Sequence, residues 1–299
     1  MASTRKEAFS VNDMPSLAGF IAIVTGGSDG IGYVASYQLA IHGARVYIMS
    51  RSLQKAVKAI SNMQKSTPGK ELDLHFLQVD LQSLGSVNEA AQRFKETESR
   101  LDILVNNAGI MAVPYALTPD GYETQWQTNY LSPFFLIKSL LPVLCSTAAG
   151  TTSQGRVRIV NVSSDAAFVA ITPDCDLENP NLDHLKGNLA IKAYAVHPGV
   201  IETNLQAADP TILGKIVKFS VKWGLVPGKL GREDGARTTL ACATGEDKGI
   251  VEGSGAFFGP FGQRDKRGDA LIRKWQPKNI EEKLWKASEK MLREKGFEV

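Results

Sequence analysis

The chain has 299 residues, of which 43% are hydrophobic and 22% charged, so it is too apolar to be an intrinsically disordered protein. Its 34 basic and 31 acidic residues leave a formal net charge of +3, which gives no electrostatic footprint for binding nucleic acid. The three cysteines lie far apart without metal-ligand spacing, so they indicate neither a disulfide framework nor a metal site and favour a reducing compartment.

The residues before the first predicted strand lack the apolar stretch of a signal peptide. The longest apolar run, at residues 133–144, contains Lys138 and Pro142 and is well short of a membrane span. We therefore expect a cytoplasmic protein without an integral membrane segment.

The first half of the chain alternates short β-rich runs with longer helical patterns, as parallel βαβ units do. The run IAIVT at residues 21–25 is continuously apolar, which is typical of a parallel strand buried on both faces. No segment rich in Gly, Ser or Pro divides the chain, so we predict one domain, residues 1–299, built on a doubly wound parallel α/β sheet. Strands are predicted at residues 21–25, 45–49, 72–79, 101–105 and 156–162, and helices at 31–42, 53–63, 86–98 and 118–145.

The second half of the chain is less regular. Residues 166–187 are polar and turn-rich, which indicates a surface excursion rather than a helix or strand. A helix with interleaved lysines is predicted at 212–226, and the amphipathic pattern at 280–295 predicts a helix that docks on the body of the domain. Further predicted elements are a strand at 190–196, a helix at 234–243 and a last strand at 255–258.

The first predicted strand is followed by the glycine-rich sequence TGGSDGIG, residues 25–32, which opens the next helix. Glycines allow a tight turn and a close approach of a pyrophosphate to the backbone, and the helix N-terminus adds free N–H groups and a positive dipole. A glycine turn also serves as a plain βα connection, but a strand before it and a helix after it favour dinucleotide binding. The candidate contacts are Gly26, Ser28, Gly30, Ile31 and Gly32.

The spacing G-x-x-x-G-x-G resembles the TGxxxGxG motif of the short-chain dehydrogenase/reductase family. Other segments match that family in order, from an acidic residue after the third strand through NNAG at residues 106–109 to PGVIET at residues 198–203. The resemblance covers roughly residues 18–262 and implies a Rossmann-like fold that binds a nicotinamide cofactor. The further cofactor contacts that it implies are Asp80, Asn107, Ala108, Gly109, Lys138, Pro198, Gly199, Val200 and Thr203.

The end of the second predicted strand bears on the choice of nicotinamide. An NAD enzyme tends to place a carboxylate there for the ribose 2′-hydroxyl, whereas this chain has Ser50 and Arg51. Arg51 can pair with a 2′-phosphate through charge-assisted hydrogen bonds, and the alternative is a solvated residue at the start of a helix. We predict NADP(H) as the cofactor.

The family resemblance also implies a catalytic set. A serine polarises the substrate oxygen, a tyrosine transfers a proton, a lysine four residues later lowers the tyrosine pKa, and an asparagine supports a water relay. A free phenol titrates near pH 10, so a neighbouring cation is needed for it to act near neutrality. Ser164 and Asn129 match the serine and asparagine positions. The alternative for Ser164 is a turn or helix-cap residue at the end of a strand, and the alternative for Asn129 is a buried structural amide.

The Tyr-x-x-x-Lys motif is absent, since none of the seven tyrosines has a lysine four residues later. Tyr194 is the candidate in register, because residues 187–194 resemble the approach to the family's tyrosine. Four residues after Tyr194, however, comes Pro198 of the His-Pro-Gly element. In the family, a helix and a strand lie between the tyrosine and that element. The simplest account is an internal loss of roughly thirty residues, the size of a βαβ crossover.

Two interpretations of Tyr194 therefore remain open. Tyr194 is either the catalytic proton donor or part of the strand that leads into His-Pro-Gly. The alternation of Ile191, Ala193 and Ala195 favours the strand, and the nearby proline disfavours a helix. We expect the fold to lack one crossover helix, because the polar residues 165–189 cannot cover the sheet as an amphipathic helix would.

Within the single domain, residues 18–203 are predicted to form the NADP-binding core with the active site, 204–230 a substrate lid, and 231–299 a helix, the last strand and the tail helix. The lid is apolar, which is consistent with a lipophilic substrate. Its lysines 215, 218 and 222 are interpreted as a solvated helix face, with an anionic substrate or a membrane surface as the alternative. The loop before the tyrosine region and the His-Pro-Gly element resemble the retinol dehydrogenase and WW-domain oxidoreductase branch.

The resemblance thus implies an NADP(H)-dependent oxidoreductase that interconverts a lipophilic ketone or aldehyde and its alcohol by hydride transfer. The alternative is a catalytically inactive or impaired NADP-binding protein, from a truncated isoform or gene model, because Tyr-x-x-x-Lys is absent. The expected partner is a small lipophilic carbonyl compound or alcohol, with no metal and no nucleic acid. Homo-oligomers are typical of the family, although the lost helix is the one that commonly pairs its subunits.

Overall fold

The computed structural model describes residues 9–111, 113–151, 155–164, 191–198, 230–268, 270 and 280–298. The helices in chain order are α1 (Gly30–Ile41), α2 (Leu53–Lys65), α3 (Leu84–Thr97), α4 (Thr124–Trp126), α5 (Ser132–Ala149), α6 (Arg232–Thr244), α7 (Lys248–Val251) and α8 (Ile280–Glu294). The strands are β1 (Ile21–Thr25), β2 (Arg45–Ser50), β3 (Leu74–Gln78), β4 (Ile103–Asn106), β5 (Val157–Val162), β6 (Ile191–Val196), β7 (Phe257–Gly259) and β8 (Gln263–Arg264).

These strands form one sheet in the order β3-β2-β1-β4-β5-β6-β7-β8. Neighbours from β3 to β7 pair in parallel, and β8 is antiparallel to β7. The order reverses between β1 and β4, so the carboxyl ends of these strands border the crevice in which doubly wound sheets bind ligands. The predicted fold class, a single-domain doubly wound α/β sheet, is confirmed.

Helices cover the sheet on both faces. One core layer joins α1, α2 and α6 to the strands, and the other joins α3, α5 and α8 to them. Every residue of β1 and of β4 is buried, as expected of central parallel strands.

The long central helix begins later than the sequence indicates. Residues 118–121 form a turn in which Gly121 has a φ of +82°, a conformation that excludes a continuous helix from residue 118. The helical span runs from Thr124 to Ala149 and is long and apolar enough to cross a membrane, with a mean hydropathy of 1.5. Because 67% of its most apolar window is buried inside the fold, packing in the core accounts for this hydropathy.

The C-terminal helix α8 docks on α5, as predicted from its amphipathic pattern. The Trp285 ring meets the Phe134 ring edge to face at 4.8 Å, and Leu292 is fully buried. The connection between β5 and β6, the helix predicted at 212–226 and the lid predicted at 204–230 fall outside the described residues, except for Leu230.

Candidate active site

The turn after β1 and the loop after β4 are tied together by Thr25. Its hydroxyl oxygen accepts hydrogen bonds from the backbone N–H groups of Asn107 and Ala108, each at 3.0 Å. The Asn107 amide in turn donates to the Thr25 carbonyl at 3.0 Å. Thus Asn107 and Ala108, two of the predicted cofactor contacts, hold the wall of the crevice against the glycine turn.

Several positions of the turn require glycine, either for their backbone conformation or for lack of space. Gly26 and Gly30 have φ values of +67° and +58°, the left-handed region that glycine adopts without strain. A Cβ on Gly32 would lie 2.4 Å from the Gly26 carbonyl oxygen and 2.5 Å from the Asn107 amide nitrogen. Of the other predicted contacts, Ser28 is half-buried in the turn and Ile31 directs its side chain into the core. The positive φ values and close contacts shape residues 26–32 into a tight turn, the glycine cradle, whose binding of a pyrophosphate stays a prediction.

Asp29 caps the helix that follows this turn. Its carboxylate oxygen Oδ1 accepts a hydrogen bond from the Gly30 N–H at 2.7 Å, as an N-cap side chain does. The same oxygen lies 3.8 Å from an Nη1 of Arg232, the first residue of α6. Neither residue was singled out from the sequence, and the 203-residue separation shows that only the fold brings them together.

Asn129 holds the other side of the crevice. It lies in a π-helical turn between α4 and α5, where its side-chain oxygen accepts from the Ile110 N–H at 2.8 Å and its amide donates to the Ile110 carbonyl at 2.7 Å. A Cβ on Gly109 would lie 3.3 Å from the Asn129 oxygen. Asn129 is exposed rather than a buried structural amide, and its bonds fix the segment that follows Gly109.

Ser164 stands at the carboxyl end of β5, one strand away from the Asn106–Gly109 loop. The Ser163 N–H donates to the Val196 carbonyl at 2.6 Å, which continues the β5–β6 pairing to the edge of the sheet. Ser164 is half-buried there. Ser164 therefore lies at the edge of the crevice, and its catalytic role stays a prediction.

The structure contradicts a catalytic role for Tyr194 and places it in strand β6. It pairs with Val160, four residues before Ser164, a distance of about 13 Å along the strand. The Tyr194 hydroxyl is buried and donates to the Ile250 carbonyl at 3.1 Å, on the α6 side of the sheet. Burial raises the pKa of Tyr194 above its ordinary value, the opposite of what a proton-transfer group needs. The strand interpretation is therefore the correct one.

Within the described residues, none of the other tyrosines forms a couple with a lysine through its hydroxyl. All seven lie in the described residues, and no hydroxyl among them is hydrogen-bonded to a described lysine. Lys192, near Tyr194 in sequence, lies at the amino end of β6 opposite Arg158. The described part of the chain therefore contains no Tyr–Lys couple beside Ser164.

The prediction that Lys138 contacts the cofactor is wrong. Lys138 lies on α5, and its ammonium group donates to Glu289 on α8 at 2.9 Å and stands over the Trp285 ring at 5.0 Å. It lies on the outer face of α5, away from the sheet. A helical position copied from a family motif does not by itself fix the direction of the side chain, which is decided here by the packing of α8.

The ends of β2 and β3 border a cleft of about 310 Å³. Arg51 follows β2 at this cleft, and the Gln78 amide donates to the Arg51 carbonyl at 3.3 Å. The Asp80 carboxylate accepts from the Gln82 N–H at 3.0 Å. The predicted residues Arg51 and Asp80 thus line the same cleft. Arg93 also lines it and adds a second positive charge, which was not predicted from the sequence. The lining residues are Arg51, Gln78, Asp80, Ser86, Glu89 and Arg93.

His197 anchors the chain where it leaves β6 toward Pro198. Its Nε2 lies 3.1 Å from Asp265 Oδ2, and its ring stacks on Phe257 with centroids 5.4 Å apart. A Cβ on Gly259 would come within 2.9 Å of Nε2, so this close packing requires glycine there. The contact fixes the last described residues before the predicted contacts Gly199, Val200 and Thr203, which lie outside the described residues.

Replacing Asp265 with asparagine tests, through the pH dependence of stability, how strongly Arg267 and His197 together hold the Asp265 carboxylate. A hydrogen bond from Arg267, assisted by His197, lowers the pKa of the Asp265 carboxyl to about 2. Since an unfolded aspartate titrates near pH 3.9, the carboxylate stabilises the fold above that pH and the stabilisation is lost as pH falls through 2. We expect the free energy of unfolding of Asp265→Asn to be about 2 kcal/mol below that of wild type near neutrality. This difference should shrink as the pH falls toward 2, and urea unfolding at several pH values measures it. A difference that stays constant with pH would contradict this assignment.

Comparison with known proteins agrees with this geometry. Residues 20–173 match the model of the family described as short chain dehydrogenase. The short-chain dehydrogenase/reductase drtF of Aspergillus calidoustus is 39% identical over 316 aligned positions, covering 94% of this chain and 96% of that protein. Retinol dehydrogenase 12 of Homo sapiens is 32% identical over 265 positions, covering 81% of this chain and 78% of that protein.

A solved structure, the Pseudomonas aeruginosa RhlG/NADP active-site complex, is 26% identical and superposes with a TM-score of 0.62. The match covers 82% of this chain and 95% of that one. The family match spans more than half of the chain, and a relative aligns along nearly all of it. The chain therefore belongs to the short-chain dehydrogenase/reductase family of oxidoreductases.

Proposed function

We propose that this chain binds NADP(H) and that its hydride transfer to a lipophilic carbonyl compound, or from the alcohol, is severely slowed. The binding half of the proposal rests on the glycine cradle and on the cleft that holds Arg51 and Asp80. The slowed chemistry rests on one observation, the buried Tyr194 hydroxyl that donates to the Ile250 carbonyl. A second candidate, a wholly non-catalytic NADP-binding protein, rests on the same observation and differs in having no turnover.

The proposed contacts would follow the dinucleotide from its adenine to its nicotinamide. The N–H groups at the start of α1 and the cradle around Gly32 would hold the pyrophosphate. Asp80 would face the adenine, and Arg51 would pair with a 2′-phosphate. The loop from Asn107 to Gly109 would flank the ribose and the nicotinamide. Lys138 is not part of this set, because Glu289 holds it on the outer face of α5.

The bound nicotinamide would supply or accept the hydride. In the carbonyl direction Ser164 would donate a hydrogen bond to the substrate oxygen, and this donor stabilises the negative charge that develops there. Asn129, held by Ile110, would keep the Gly109 segment in place beside the reacting atoms. The described residues contain no Tyr–Lys couple beside Ser164, so water would deliver the proton, and loss of a positioned acid typically costs about 10² to 10⁴ in rate.

The comparison with drtF supports an internal loss as the origin of this defect. Its alignment runs over 316 positions, more than the 299 residues of this chain, so that relative has residues without a counterpart here. The crossover from Ser164 to Ile191 is the place where the sequence departs from the family pattern. We infer that the missing residues belong to this crossover and carried the Tyr-x-x-x-Lys helix.

A lipophilic substrate is proposed for two reasons. The residues predicted to form the lid, 204–230, are largely apolar in sequence. One relative carries the name retinol dehydrogenase, which names a lipophilic alcohol. Cytoplasmic location and homo-oligomer formation stay predictions of the sequence.

Titration of the purified chain with NADPH and with NADH tests the binding half. We expect NADPH to bind at least tenfold more tightly, because only its 2′-phosphate can pair with Arg51, and one charge-assisted contact is worth about that factor. Nicotinamide fluorescence or calorimetry measures both dissociation constants. Equal affinities would overturn the NADP(H) assignment, and no binding of either would overturn the cofactor proposal as a whole.

A further inference from the structure

Two helices begin at the edge of the sheet where the pyrophosphate is proposed to bind. α1 starts directly after the glycine turn of β1. α6 returns the chain between the parallel strands β6 and β7 and packs against α1. A helix in such a return begins at the carboxyl ends of the strands, so Arg232, its first residue, stands beside the glycine turn.

A carboxylate and a guanidinium lie beside this turn. Asp29 places a carboxylate on the Gly30 N–H, one of the donors that would face a phosphate. The Arg232 guanidinium lies 3.8 Å from that carboxylate, and the two side chains are 48% and 45% exposed. Because the pair is half-exposed and long, it is weak, and the guanidinium is not committed to Asp29.

We propose that Arg232 binds the pyrophosphate of the dinucleotide from α6, opposite the N-terminus of α1. This inference rests on the proposed binding of NADP(H) and adds to it a residue outside the glycine motif. The guanidinium neutralises Asp29 in the free protein and offers its remaining N–H donors to a phosphate oxygen in the complex. Arginine suits this position because its planar fork of donors matches phosphate geometry.

The test compares ligands that differ in their phosphates. ADP-ribose contains the pyrophosphate and no 2′-phosphate, whereas adenosine 2′-monophosphate contains only the 2′-phosphate. We expect Arg232→Gln to weaken ADP-ribose and NADPH by about tenfold and to leave adenosine 2′-monophosphate unchanged. Arg237→Gln, the matched control, removes the same charge from α6 at a side chain that pairs with Asp234 at 3.5 Å, and should change each dissociation constant less than about twofold.

The Asp29→Asn background separates direct binding from neutralisation of Asp29. Asparagine still caps α1, so the turn is kept while the carboxylate is removed. If Arg232 contacts the phosphate, Arg232→Gln weakens ADP-ribose about equally in both backgrounds. If the loss disappears in the Asp29→Asn background, or equals that of Arg237→Gln, the proposal is overturned. If the wild-type protein fails to bind NADPH, the proposed function itself is overturned. This outcome is distinct from failure of the Arg232 proposal, which is seen only in the variants.

Discussion

Replacing Arg51 with alanine is expected to raise the dissociation constant for NADPH by about 10- to 100-fold while leaving that for NADH nearly unchanged. Arg51 lies at the end of β2 in the cleft that also holds Asp80. A hydrogen bond to a charged group is worth about 1.5–3 kcal/mol, and each 1.4 kcal/mol is a factor of ten in affinity. Since Arg51 is exposed and therefore screened by solvent, we expect the loss of NADPH affinity to be closer to 10-fold than to 100-fold.

The control for this variant is Lys58→Ala, which removes one positive charge from an exposed position of α2 that does not line the cleft. It should leave both affinities unchanged within about twofold. Titration of each variant with both nicotinamides at two salt concentrations measures the effect. An equal loss for NADPH and NADH in Arg51→Ala would show that Arg51 does not read the 2′-phosphate.

The largest gain in activity is expected from restoring the crossover. Inserting a family crossover that carries Tyr-x-x-x-Lys between Ser164 and Ile191 should raise the rate of hydride transfer by about 10²- to 10⁴-fold. The strands on either side of the insertion are already in place, because β5 and β6 pair in parallel. The pairing runs from Val157 opposite Ile191 to Val162 opposite Val196. A parallel pair accepts a long helical crossover without changing its register.

A matched insert in which the tyrosine is replaced by phenylalanine controls for the effect of the added helix on stability. It restores the same cover over the sheet without the phenol. The measurement is single-turnover oxidation of bound NADPH by decanal and by retinal. Equal rates for the two inserts would show that the missing tyrosine is not the cause of the slow chemistry.

The central strands β1 and β4 could be predicted because they are buried on both faces. The continuous apolar runs of β1 and β4 have no other stable location in a chain of this size. The start of the long helix could not be predicted from the sequence. The residues around Gly121 have a helical pattern, whereas Gly121 itself adopts a left-handed backbone conformation that ends the turn before the helix. Local patterns thus predicted the elements better than the points at which they begin.

The glycine turn and the loop that meets it could be located from the sequence because each motif is contiguous. Gly26 and Gly32 lie in one turn, and Asn107 and Ala108 meet that turn at the ends of neighbouring strands. Lys138 was misplaced because only the docking of α8, far along the chain, shows where its side chain points.

The residues that sequence reasoning missed are joined by long-range contacts. Asp29 meets Arg232, and His197 meets Asp265, across large separations in the chain. No spacing rule links such pairs, so the fold had to supply them. For Tyr194 the opposite holds: alternation and the following proline already indicated a strand, and the pairing with β5 decided between two open interpretations.

We propose that this chain holds NADPH but lacks the group that would deliver a proton quickly. Both parts are tested by the decay of reduced nicotinamide absorbance after the unmodified chain, saturated with NADPH, is mixed with decanal or retinal. We predict measurable NADPH binding with hydride transfer about 10² to 10⁴ times slower than in the variant with the restored crossover. Transfer by the unmodified chain at the rate of the restored variant would show that the missing Tyr-x-x-x-Lys segment does not limit the reaction.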